Sequence, residues 1–134
     1  MDNLIREIDW AEVKHSFINA TPFNHVAIDN FFLPEVAATL TKEFPEFDDP
    51  SLGYYNNAIE KKKCGNRWDK FGKYTYQYFA MLARDSFLNS MRNLIDDDRL
   101  ELDIGLNGGG WHMHGPSGNL NVHLDYNIHP KLGE

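Results

Sequence analysis

Between Asn121 and His129 the chain alternates without a break. Asn121, His123, Asp125, Asn127 and His129 fall on one side of an extended backbone, and Val122, Leu124, Tyr126 and Ile128 on the other. Side chains of a strand point to opposite faces with a period of two, so this pattern predicts a half-buried strand. Leu100–Leu106 and Trp111–His114 alternate in the same way. The turn segments Asn107-Gly108-Gly109-Gly110 and Gly115-Pro116-Ser117-Gly118-Asn119 separate the three stretches. Closely spaced strands joined by glycine-rich turns demand a sheet in the last third of the chain.

Upstream the period changes. Asp9 and Glu12 form a capping-box pattern that opens a helix to about Ala20, where Thr21-Pro22 stops it. Pro34 suits the first turn of a second helix, with Val36, Leu40 and Phe44 on its buried side. Tyr74 to Ile95 predicts one long helix, or two joined near Asp85. His25–Phe31 alternates as an early strand. Phe47–Gly72 predicts a loop with short strands around Tyr54-Tyr55 and Ala58-Ile59. Helices first and strands afterwards make an α+β arrangement, with helices packed on one face of a sheet. The expected organisation is one domain: a helical support region over residues 1–98 and core strands over 99–134. With 42% hydrophobic and 13% aromatic residues, the chain can fill such a core and is not a disordered segment.

The net charge of −7 argues against a nucleic-acid binder or an anionic-membrane binder, since both lean on Lys and Arg. The runs Lys61-Lys62-Lys63 and Asp96-Asp97-Asp98 predict solvated surface. A single cysteine, Cys64, excludes an intrachain disulfide and suits a reducing compartment. It lies beside Lys63 and Arg67 in the expected loop, where a surface thiol is a better reading than a nucleophile. The first residues, MDNLIREIDW, lack the apolar region of a signal peptide, and no run of about 18 apolar residues exists. The expectation is a soluble cytoplasmic protein.

The chemistry lies on the polar face of the last strand. Residues i and i+2 of a strand sit roughly 6.5–7 Å apart on one side, so His123 and Asp125 can reach one ion together. A neutral imidazole and a carboxylate suit a borderline divalent metal. One further His would complete a two-His-one-carboxylate set, which leaves positions open for ligands. His112 and His114 form a second i, i+2 pair. The cupin motif adds an acidic residue shortly after such a pair, whereas Ser117, Gly118 and Asn119 stand here. His129 marks the strand end before Pro130, and His15 and His25 have a structural reading. Gly108-Gly109-Gly110 predicts a turn with positive φ, not a phosphate loop.

The segment GGGWHMHGPSGNLNVHLDYNIHP resembles the first half of the double-stranded β-helix (jelly roll) of Fe(II)- and 2-oxoglutarate-dependent oxygenases, on the prolyl-4-hydroxylase-like side. FNHVAIDNFFLPEVAATLTKEFP is similar to the strand and helix that precede that core. The resemblance implies that His123 and Asp125 are metal ligands, with no catalytic side chain beyond the ligands. It implies Fe(II) as metal and 2-oxoglutarate as cosubstrate, with His114, or alternatively His112, as a cosubstrate contact. It also implies hydroxylation of a small molecule or a protein side chain. Relatives place a second metal His, and an Arg or Lys beyond it, well downstream of the His-x-Asp motif. The sequence as given stops nine residues after Asp125. The expectation is therefore an N-terminal portion of such an enzyme, inactive by itself, whose open strand edges would pair with another chain. Two alternatives stand beside it: a non-catalytic, cupin-like module that binds a metal or ligand through the same face, and a structural fragment completed by a partner chain.

Overall fold

A computed structural model describes residues 4–125. They fall into two compact units, one within Met1–Glu43 and Phe71–Leu102, the other within Phe44–Lys70 and Asp103–Glu134. The first holds the helices and the second holds the strands, so the chain is a mixed helix-and-sheet protein of α+β type.

The helical unit contains α1 (Trp10–Ile18), α2 (Pro34–Glu43), α3 (Lys73–Leu82) and α4 (Asp85–Ile95). Asp9 caps α1 as its position predicts: one carboxylate oxygen accepts the N–H groups of Ala11 and Glu12, at 3.0 and 3.1 Å. Trp10 meets Phe87 of α4 edge-on at 6.0 Å. Pro34 occupies the first turn of α2, and Val36 and Leu40, four apart, share its buried side. Burying side chains of this size contributes about 1.5–3 kcal/mol each. The predicted join near Asp85 is a real break, since α3 ends at Leu82 and Arg84 is the N-cap of α4.

The start of α3 is completed from a distance in sequence. Its first N–H groups have no partner within the helix. The Glu43 carboxylate, at the end of α2, accepts the N–H groups of Tyr74 and Thr75 and the hydroxyl of Thr75, at 2.7–3.0 Å. Thr75 is fully buried. Burial by itself would raise the Glu43 carboxyl, but the hydrogen bonds from Thr75 and Tyr74 outweigh it and hold the group below its ordinary value.

Residues 25–31 do not form the predicted strand. Val26 and Ile28 are half-buried between exposed neighbours, so the alternation is real. Alternation decides only which side faces inward; a strand also needs a neighbour for its hydrogen bonds. The pairing found here is a single bridge between Ile5 and Phe32.

The second unit is an open antiparallel sheet of β1 (Gly53–Asn56), β2 (Glu60–Gly65), β3 (Trp111–Met113) and β4 (Asn119–Leu120), with a 3-10 turn at Trp68–Lys70. The central strand is β2, in a region where the sequence predicts mostly loop. It pairs with β1 on one side, and with β3 and β4 in succession on the other. Asn57 forms the turn between β1 and β2 by accepting the N–H groups of Ile59 and Glu60 on its side-chain oxygen. The glycine run before β3 has the predicted positive φ at Gly108 (79°) and Gly110 (97°). At Gly110 a Cβ would also strike the carbonyl of Gly65, so the approach of β3 to β2 requires glycine there.

Leu100–Leu106, predicted as a strand, is irregular. The Asp103 carboxylate accepts the N–H groups of Gly105 and Asn107 and folds the chain back on itself, and Leu106 takes a positive φ of 48°. An aspartate that captures its own downstream N–H groups removes them from a ladder. Among the described residues no helix is long and apolar enough to cross a membrane.

Candidate functional site

The alternation of β2 divides its charges between two faces. Glu60, Lys62 and Cys64 point one way; Lys61, Lys63 and Gly65 point the other. Residues opposite one another in neighbouring strands share a face. The register therefore sets Tyr55 beside Lys62, His112 beside Cys64 and Leu120 beside Glu60. These six side chains floor a cleft of about 480 Å³ that His123 and Asp125 also line. The volume lies within the range of roughly 300–1,000 Å³ usual for ligand pockets.

On this floor Glu60 and Lys62 form an ion pair at 2.6 Å, with side chains only 17% and 12% exposed. Lys62 also lies 3.3 Å from His112 Nδ1. An ammonium group can only donate, so this nitrogen accepts, and His112 carries its proton on Nε2. Nε2 in turn points at the Gly109 carbonyl, 3.3 Å away. Both ring nitrogens are thereby committed within the protein, and His112 holds Lys62 in place.

Cys64 also donates to the Gly109 carbonyl, at 3.2 Å. The expectation of a surface thiol is corrected: Cys64 is 4% exposed in the central strand. Burial pushes its thiol up, against the opposing influence of Lys62. A buried protonated thiol serves as packing and as a weak donor, not as a nucleophile.

His123 and Asp125 are brought together, with Nε2 3.3 Å from a carboxylate oxygen. His123 Nδ1 lies 2.7 Å from the Asn121 carbonyl. A carbonyl only accepts, so Nδ1 bears a proton, and Nε2 is the nitrogen that faces Asp125. A backbone carbonyl that fixes the tautomer of a histidine is the usual outer-shell device of metal sites.

The route to this pair differs from the predicted strand. The last ladder pair of β4 is Leu120 opposite Glu60, the first residue of β2. Beyond it the Asn121 N–H donates to the Ile59 carbonyl, and the Asn121 side chain donates to that of Ala58. Nothing of β2 remains to pair with residues 122–125, which are irregular. Val122 and Leu124, expected to pack inward, are exposed. Asn127 and His129 lie outside the described residues.

His114 follows the end of β3 and is exposed; it does not join the cleft residues. Among the described residues no three His, Cys, Asp or Glu side chains gather into a metal-binding group. Glu60, Lys62 and Tyr55 are cleft residues that the sequence did not single out. The Glu-x-Lys-x-Cys alternation is a signal for them only if Glu60–Gly65 is known to be a strand. Comparison with family models, with curated proteins and with solved structures finds no match to the chain.

Proposed function

We propose that this chain contributes the His-x-Asp part of an Fe(II)- and 2-oxoglutarate-dependent dioxygenase that hydroxylates a small molecule or a protein side chain. The observation that carries the reading is the His123–Asp125 pair, with its imidazole clamped by Asn121 and its Nε2 turned toward the carboxylate. The donor set, one neutral imidazole and one carboxylate, fits a borderline divalent cation such as Fe(II) and supplies two of three protein ligands. Among the described residues no further His, Cys, Asp or Glu gathers with them into a group of three. In this reading the sheet of β1–β4 begins a jelly roll, and further strands cover the exposed Val122 and Leu124.

Bound iron would supply the redox chemistry by which 2-oxoglutarate and O₂ become succinate and CO₂ while a substrate C–H becomes C–OH. The contribution of the chain is placement. Asn121 orients His123; Asp125 adds negative charge against the cation; the ion pair of Glu60 and Lys62 sets the polarity of the floor.

Mn(II) can replace Fe(II) in a binding test followed by electron paramagnetic resonance. His123→Ala and Asp125→Ala should each weaken Mn(II) binding by at least about tenfold, as loss of a ligand does. 2-Oxoglutarate should tighten the binding of the unaltered chain. Succinate should form with Fe(II) where a third ligand is supplied beside this chain, and only with His123 intact. Mn(II) binding indifferent to both substitutions would refute the proposal. A non-catalytic metal-binding module is the second reading, favoured by the absence of a third ligand among the described residues. It predicts metal binding that 2-oxoglutarate leaves unchanged.

A further inference from the structure

We propose that the opposite face of β2 carries a separate binding site, for a small ligand that presents an oxyanion beside an aromatic or apolar body. The two lysines of that face, Lys61 and Lys63, border a second cleft of about 230 Å³ that Lys62 also lines, with Phe47, Tyr54 and Pro116 as its walls. Its lining includes no carboxylate among the described residues.

Both ammonium groups are positioned by neutral oxygens. Lys61 donates to the Ser117 hydroxyl at 3.1 Å, and Lys63 donates to the Phe47 carbonyl. Lys63 also lies 4.7 Å from the centre of the Phe47 ring. Among the described residues neither lysine has a carboxylate within 4.0 Å, and Asp49 acts on Lys63 from beyond that distance. Each ammonium has three protons and uses one on these partners, so charge and donors remain for a ligand. Residues two apart in a strand stand roughly 6.5–7 Å from each other, a span that one phosphate or carboxylate can bridge with flexible lysine stems.

The walls are tightly built. A Cβ on Gly115 would strike the Phe47 ring, and the turn at 115–118 closes through the Gly118 N–H on the Gly115 carbonyl at 2.9 Å, with Ser117 at a φ of 61°. The glycines let Phe47 and the turn come together, and the turn delivers the Ser117 hydroxyl to Lys61. At 230 Å³ the cleft is smaller than a usual pocket of roughly 300–1,000 Å³, so it takes one charged end of a ligand and an adjoining ring, not a nucleotide. The exposed Tyr54 ring is the surface on which that ring stacks.

The test is titration of the full chain, labelled with ¹⁵N, with phenyl phosphate, benzoate and inorganic phosphate. Phenyl phosphate or benzoate should give saturable shifts at Tyr54, Lys61, Lys63 and Gly115. The tighter of the two identifies the oxyanion as phosphate or carboxylate. Lys61→Gln and Lys63→Gln should each weaken binding by about tenfold, the loss of one charge-assisted contact. Lys42→Gln, on α2, should leave it within about twofold. Tyr54→Ala should weaken phenyl phosphate but not inorganic phosphate. Circular dichroism establishes that each variant is folded. The absence of saturable shifts with either aromatic anion would overturn the site, as would unchanged binding by folded Lys61→Gln and Lys63→Gln chains. Neither result bears on Mn(II) binding at His123, so the two proposals fail independently.

Discussion

The two faces of β2 carry the same kind of residue and treat it differently. On one face Lys62 is paired with Glu60 at 2.6 Å, backed by His112 and 12% exposed. On the other, Lys61 and Lys63 lean on a hydroxyl, a carbonyl and an aromatic ring, with no carboxylate within ion-pair distance among the described residues. One face has neutralised its lysine into a fixed feature of a cleft floor. The other keeps charge available. The difference shows that three consecutive lysines are not one electrostatic object: the pleat separates them, and each acquires the chemistry of its own side.

The largest expected effect comes from undoing the alignment on which both faces depend. Gly110→Ala would force a side chain into a φ of 97° and against the Gly65 carbonyl, and should cost about 3 kcal/mol or more in urea unfolding. A variant as stable as the original would show that β3 does not need this close approach.

The second effect sharpens the contrast directly. Glu60→Gln leaves Lys62 as an unpaired, largely buried cation and should destabilise by about 2 kcal/mol. Lys61→Gln and Lys63→Gln should stay within about 0.5 kcal/mol, since both lysines are half-buried but neither gives up an ion pair among the described residues. Equal losses on both faces would break the comparison.

The smallest effect tests a carboxylate in the helical unit against Glu60. Glu43→Gln removes the charged acceptor at the start of α3 and should cost about 1 kcal/mol at pH 7. Its folded carboxyl lies below the ordinary value of 4.5. Its stabilisation is therefore fully present above that value and is lost as pH falls through the lower, folded one. In acid the original and Glu43→Gln chains should converge in thermal stability. A gap that stays constant down to pH 2 would show that the charge of Glu43 is not what matters.

Much of the helical unit was legible in the chain. Asp9 capped its helix, Pro34 opened the next, and Val36 and Leu40 marked a buried stripe, because helix caps and helical periodicity are local. His123 and Asp125 do meet, but not on the predicted strand that sets their i, i+2 spacing, since residues 122–125 are irregular. The central strand was not legible. Glu60-Lys61-Lys62-Lys63 has no hydrophobic alternation, and its place in the sheet depends on partners near residues 53 and 112. Leu100–Leu106 erred in the opposite direction: the alternation was present, but Asp103 claimed the N–H groups a ladder would need.

By itself the sequence determined what one segment can decide: caps, helix breaks, glycine turns and the His-x-Asp spacing. Tertiary structure decided which strand is central, which lysine is neutralised and where β4 ends. These depend on hydrogen bonds and charges supplied by residues tens of positions away, and no local pattern encodes a partner that distant.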